Sequence, residues 1–172
     1  MCLQSTALTS ILVPTPPAPP RTDDVRAGSV DLEARQLEAW RGFLRTHREV
    51  VAHLDEELQR AHDLPLSSYE VLLYLADADG GRLRMGELAD RLLLSRSGLT
   101  RLVDRLESRG LVARERCEED ARGLFARITP EGRNIFEAAR PDHLDGVRRR
   151  YLSRLDDTDL DNLIAAWSRL AG

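Results

Sequence analysis

Residues 94–129, LSRSGLTRLVDRLESRGLVARERCEEDARGLFARIT, decide the fold. The first part places Leu99, Leu102, Val103 and Leu106 at three- and four-residue spacing, the period of a helix that buries one face. Ser95, Arg96, Ser97, Thr100, Arg101 and Arg105 then fall on or near the other face, which is short, polar and cationic. Gly110 stands where a left-handed cap residue ends such a helix. Beyond it the text alternates with period two, Leu124, Ala126 and Ile128 to one side and Phe125, Arg127 and Thr129 to the other. A helix followed by a hairpin is the reading. Its tip, EEDARG, carries Asp120 and Arg122 on an acid-rich turn with Gly, so a guanidinium is held out beyond the body of the fold, toward something anionic.

Immediately upstream, residues 83–93 (LRMGELADRLL) carry a short apolar stripe of Leu88, Ala89 and Leu92 and predict a second short helix. Leu94-Ser95 is the tight turn between the two, with Ser95 as N-cap. The pair forms a helix-turn-helix, whose second member can lie in the DNA major groove with its N-terminal residues at the base edges. The hairpin makes it a winged helix-turn-helix. With these elements in place, the block Leu64 to Gly132 resembles the MarR family of bacterial transcription regulators. The matching text is SSYEVLLYLAD (67–77), ELADRLLLSRSGLTRLVDRLESRGLVAR (87–114), the Asp120-x-Arg122 wing signature and the closing ITPEG (128–132). The expected fold class is mainly α with a small β wing, a winged helix-turn-helix flanked by long N- and C-terminal dimerisation helices.

Composition is consistent with this. A chain of 172 residues, 42% hydrophobic and 31% charged, is long enough for one domain with a real core and has no apolar run that could cross a membrane. The net charge of -4 argues against a general nucleic-acid coat protein. Its distribution is more informative: residues 81–129 hold 11 Arg against 8 acids, and the remainder 14 Arg against 21 acids. An acidic body with a locally basic reader favours DNA in one orientation and implies strong salt dependence. All the Lys and Arg positions are Arg. Arg forks onto phosphate and guanine, although a genome biased toward GC-rich codons is the stronger explanation for the lack of Lys.

Four segments follow in order. Residues 1–29, with VPTPPAPP, read as an extended proline-rich arm, flexible or wrapped on a partner subunit. No basic residue precedes Arg21, and the short apolar ALTSILV runs straight into prolines, which argues against a secretory signal and for a cytoplasmic protein. Residues 30–63 carry a heptad stripe of Leu37, Trp40, Leu44, His47, Val51, Leu54, Leu58 and Ala61, read as an N-terminal dimerisation helix ended by Leu64-Pro65. Residues 64–132 form the winged domain. Within it a helix from Ser67 to about Asp77 is capped by Ser67 or Ser68 and buries Val71, Leu72 and Leu75. Residues 78–81 turn, and Arg82 to Arg84 read as a third strand pairing with the wing. No hydroxyl residue stands near Arg84 to cap the helix that follows. Residues 133–172 supply C-terminal dimerisation helices. Thr129-Pro130 opens the first, whose stripe of Phe136, Ala139, Val147, Tyr151 and Leu155 meets Arg140-Pro141, where a kink or break is expected. Asp156-Asp157-Thr158 caps the last, which is expected to bury Leu160, Leu163, Ile164, Trp167 and Leu170. Stripes too large for one subunit to cover call for a homodimer, and the resemblance implies that the terminal helices interlock. Two recognition helices fixed roughly 34 Å apart select a pseudo-palindromic operator in double-stranded DNA.

The resemblance also distributes roles. Ser95, Arg96, Ser97, Thr100 and Arg101 occupy its reading and phosphate-contacting positions, with Arg105 beside them; a solvated helix face is the plainer reading of any one. Arg122 is expected in the adjacent minor groove, with Asp120 holding the tip. Proteins of this kind are usually repressors, released when a small, often aromatic or phenolic, effector binds between the dimer helices and the reader. Trp40, His47, Tyr69 and Tyr74 are candidate lining residues, with ordinary packing as the alternative for each. No cofactor or metal is expected. At about 100° per residue, His47, His53 and His62 do not share a helix face, although a site between helices stays open. Cys2 and Cys117 have no metal-ligand spacing. With no nucleophile elbow, phosphate loop or paired carboxylates, an enzyme is not expected. The alternative function is a winged-helix protein-interaction module without DNA binding.

Overall fold

The computed structural model describes residues 31–116 and 124–170. The N-terminal arm, Cys2, Cys117, Asp120 and Arg122 therefore lie outside the described residues. Two units result, one of residues 33–154 and one comprising residues 155–170 with the described residues before 33.

In the larger unit, α1 runs Ala34–His62. It starts inside the expected segment 30–63 because entry is set by Glu33, whose backbone N–H donates to Gln36 Oε1 at 2.9 Å. It ends on Asp63, which turns left-handed at φ 48. Arg109 pins that end by donating to the Asp63 carbonyl at 2.7 Å. Next comes α2, Leu66–Asp77, opened by Pro65 rather than by Ser67 or Ser68. The serine cap is not needed, because Asp55 of α1 accepts the Leu66 N–H at 2.7 Å, and Ser68 is buried instead. As expected, α2 buries Val71, Leu72 and Leu75.

A short 3-10 turn, Asp79–Gly81, leads to β1, Arg82–Arg84, and directly into α3, Met85–Arg91, which has no side-chain cap. The helix α4 spans Arg96–Ser108, the hairpin is β2 Val112–Arg116 with β3 Leu124–Ile128, and α5 spans Pro130–Arg150. The sheet order is β1-β3-β2, antiparallel throughout, with Leu83 opposite Ala126 and Arg114 opposite Ala126 on the other side. The expected third strand is thus present. The alternation is also as read for Ala126 and Ile128, which are buried, while Leu124 at the hairpin's outer end is exposed.

Thr129 caps α5, its hydroxyl accepting the Gly132 N–H at 3.0 Å. A Cβ on Gly132 would come within 2.0 Å of the Leu111 carbonyl oxygen, so this close approach of α5 to the start of the wing requires glycine. No break occurs at Pro141: α5 is continuous through it. The one lost backbone bond is outweighed by packing of α5 on α1 and α2, through Phe136 and Ala139. One core unites the unit, from Leu54 and Leu58 of α1 through Tyr69 and Leu72 of α2 and Leu99 and Leu106 of α4 to Phe136.

In the smaller unit, α6 runs Asp157–Leu170, with Asp156 as its cap: its Oδ1 accepts the Asp159 N–H at 2.8 Å. In the single chain Leu160 and Leu163 are partly buried, whereas Ile164, Trp167 and Leu170 are 62%, 46% and 76% exposed. The period identifies the apolar face but not what covers it. No described helix is long and apolar enough to cross a membrane.

Candidate nucleic-acid interface

Between α3 and α4 the chain turns through Leu93, left-handed at φ 52, and Leu94, whose N–H reaches back to the Ala89 carbonyl at 2.9 Å. Ser95 then starts α4 as predicted, its Oγ accepting the Gly98 N–H at 3.1 Å. Leu99, Leu102, Val103 and Leu106 are at most 3% exposed and lock one face of α4 into the core. The helix cannot rotate without exposing all four, so its outer face is fixed. Onto that face the structure brings Ser95, Arg96, Ser97, Thr100, Arg101 and Arg105, all exposed, which is the whole predicted set from the described residues. The Thr100 hydroxyl donates to the Arg96 carbonyl at 2.8 Å, and Ser95 and Ser97 Oγ lie 3.2 Å apart. The guanidinium groups of Arg96, Arg101 and Arg105 have no hydrogen-bond or ion-pair partner among the described residues.

The wing strands beside α4 are held by charge pairs that the sequence reading missed. Glu115 of β2 bonds Arg127 of β3, whose guanidinium holds the Glu115 carboxyl below the usual carboxylate range. Arg82 and Arg84 of β1 lie over the Phe125 ring, 5.1 and 5.2 Å from its centroid. Arg114 of β2 reaches back to α4, pairing with Asp104 at 2.6 Å and with Glu107. Burial opposes the Arg114 charge, but hydrogen bonds and Coulombic attraction from Asp104 and Glu107 outweigh it and raise the pKa further. No local pattern announces such a pair, because its members lie on different elements ten and seven residues apart.

The four residues expected to line an effector site are not gathered in this chain. Trp40 and His47 are exposed along α1, joined through Phe43, whose ring is 5.8 Å from Trp40 and 6.0 Å from His47. Tyr69 is 1% exposed, its ring 4.4 Å from His143 and 5.4 Å from Phe136. Tyr74 is half-buried, with Arg91 6.0 Å above its ring. A cleft of about 350 Å³ lies between α1 and α5, with Leu54, Leu58, Ala61, Glu57, His143 and Arg149 in its walls and none of the four candidates. Its ionic groups are already paired: Arg149 with Asp145 and Glu57, and Asp142 with His62. No three His, Cys, Asp or Glu side chains converge on a metal position among the described residues.

Comparisons with known proteins agree with the winged-helix fold. A model of the MarR family matches residues 62–123. AbsC, a MarR family transcriptional regulator from Streptomyces coelicolor, is 35% identical and covers 83% of this chain and 96% of its own, with a TM-score of 0.79. Sco3205, a MarR family transcriptional regulator from the same organism solved in complex with DNA, is also 35% identical, with a TM-score of 0.79 over 85% of this chain and 91% of its own. Among curated relatives, the transcriptional repressor MprA of Escherichia coli (strain K12) is 25% identical over 126 residues, 63% of this chain and 72% of its own. The chain therefore belongs to the MarR family of winged-helix, DNA-binding transcription regulators.

Proposed function

We propose that this protein is a homodimeric, sequence-specific repressor that reads a pseudo-palindromic operator with α4 in the major groove and the wing arginine Arg122 in the adjacent minor groove. The observation that carries it is the fixed outer face of α4, on which Arg96, Arg101 and Arg105 are exposed and have no partner among the described residues. Arg96 and Arg101 supply the two-pronged contacts to guanine or phosphate, while Ser95, Ser97 and Thr100 supply short donors and acceptors. Asp120 steadies Arg122 at the wing tip. The repressor sign is supported by the name of MprA. On this reading residues 64–132 bind DNA, residues 30–63 and 133–172 form the dimer, and residues 1–29 are an arm; such a protein works in the cytoplasm.

A small aromatic or phenolic effector releases it by binding the DNA-incompetent arrangement more tightly, and that difference in affinity sets the limit of the response. Trp40, His47 and Tyr74 remain accessible for such a ligand, whereas Tyr69 packs in the core. Selection of bound fragments from a random DNA pool tests the reading: an inverted repeat supports a dimeric reader, and no enrichment supports an interaction module instead. With the operator in hand, Arg122→Ala weakens binding by about tenfold or more, in line with loss of a charged groove contact, and leaves the dimer intact; unchanged affinity in a shift assay removes Arg122 from the interface. Screening small phenolics for loss of operator binding tests the effector.

A further inference from the structure

A cation need not touch DNA to serve its reading. Thr100, Asp104 and Glu107 stand above one another on α4, at steps of four and three residues that share a helix face. Arg114 of β2 gathers all three. Its Nη2 donates to Asp104 Oδ1 at 2.6 Å and to the Thr100 carbonyl at 3.3 Å. Its Nη1 donates to Glu107 Oε2, and its backbone N–H donates to the other oxygen of the same carboxylate at 3.1 Å. The Arg114 side chain is 20% exposed, whereas Asp104 and Glu107 are 54% and 40% exposed. The guanidinium is thus tucked in, and the acids are outside it.

These acids lie on the side of α4 that faces the wing. With α4 in the major groove and the wing in the neighbouring minor groove, the phosphate strand dividing the two grooves runs along that side. Two unneutralised carboxylates there repel it. A released Asp104 also sits three residues from Arg101, within reach of an ion pair that draws Arg101 away from DNA. We propose that Arg114 is a positioning residue for DNA reading: it engages both Asp104 and Glu107, offsets half of their negative charge and ties the wing strand to α4, so that Arg101 and Arg105 meet phosphate without competition from free carboxylates. The inference rests on the proposed placement of α4 in the major groove.

The test measures affinity of the full chain for its selected operator. Arg114→Met keeps the apolar stem and frees both acids; binding falls about tenfold or more at low salt, and the defect shrinks as added salt screens the repulsion. Adding Asp104→Asn and Glu107→Gln to Arg114→Met removes every charge of the cluster and restores affinity to within about threefold of wild type, which loss of a direct phosphate contact by Arg114 does not permit. Wild-type affinity in Arg114→Met, or a triple variant as weak as the single, overturns the inference. Should Arg114→Met fail to fold, the triple variant decides alone, since it leaves no charge unpaired. If wild-type protein enriches no DNA sequence, the placement of α4 fails first; if it enriches an operator that these variants bind normally, only the role of Arg114 fails.

Discussion

Among the described residues two non-glycine positions are held at positive φ, and they differ in what the conformation returns. Asp63, at φ 48, ends α1 and uses its position: its carboxylate accepts from Gln59 at 2.8 Å and from Arg109 at 3.3 Å. Leu93, at φ 52, is 88% exposed, so its side chain recovers little of the left-handed cost. That cost is about 1–2 kcal/mol for an L residue, and a glycine gives back about 0.5–1 kcal/mol of it through its freer unfolded chain. Leu93→Gly is therefore expected to stabilise the protein by up to about 1.5 kcal/mol, a balance of backbone terms rather than of contacts. Thermal unfolding checks this, and a lower Tm shows that Leu93 makes a contact in solution that its exposure does not reveal. Asp63→Gly, by contrast, sheds two hydrogen bonds and is expected to lower the Tm.

Packing between elements contributes a pH dependence. His143 of α5 lies half-buried against Tyr69 of α2, its Nδ1 buried and without a hydrogen-bond partner among the described residues. Burial lowers its pKa below the usual imidazole range. The folded state thus favours the neutral ring. Its contribution is complete above the unfolded pKa and is lost as pH falls through the ordinary imidazole range toward the depressed folded value. In His143→Phe, which keeps a ring against Tyr69 and Phe136 and has no Nδ1 to leave unpaired, the Tm should fall less than in wild type between about pH 7 and about pH 5. Parallel pH profiles for the two proteins refute that account. This coupling, like the Arg114 clamp, was invisible in the sequence, where position 143 carries no pattern. What could be read were features whose cause is local: the Ser95 and Thr129 caps, the left-handed Gly110 and the switch from helical to alternating period. The α2 cap was misread because its acceptor, Asp55, stands eleven residues back on another helix. Of the kink or break expected at Pro141, the break is absent, because the local penalty was weighed without the packing of α5 that outweighs it. Asp120 and Arg122, the firmest motif residues, fall outside the described part of the wing.

At the scale of the molecule, the stripe along α1 divides in two. Leu54 and Leu58 are 6% and 2% exposed against the unit's own core, whereas Trp40, Phe43, Leu44 and Val51 are 52%, 43%, 38% and 38% exposed. The same period runs through both halves, so the sequence maintains an apolar face where its own unit leaves it open. A contiguous aromatic and aliphatic face of this kind is costly in water and is the kind of surface that another chain covers. In the proposed homodimer one patch used twice supplies the cover and fixes the separation of two recognition helices that a single subunit leaves undefined. Trp40→Glu and Val51→Glu place a charge within that face without disturbing the core, since both positions are exposed in the single chain. Each is expected to retain wild-type helical content, to halve the mass seen by light scattering, and to weaken operator binding by about a hundredfold or more as two linked half-site contacts become separate events. A variant that stays dimeric shows that the α1 face lies outside the interface. One that becomes monomeric yet keeps full affinity shows that a lone winged domain reads the operator, and the requirement for paired half-sites is then gone.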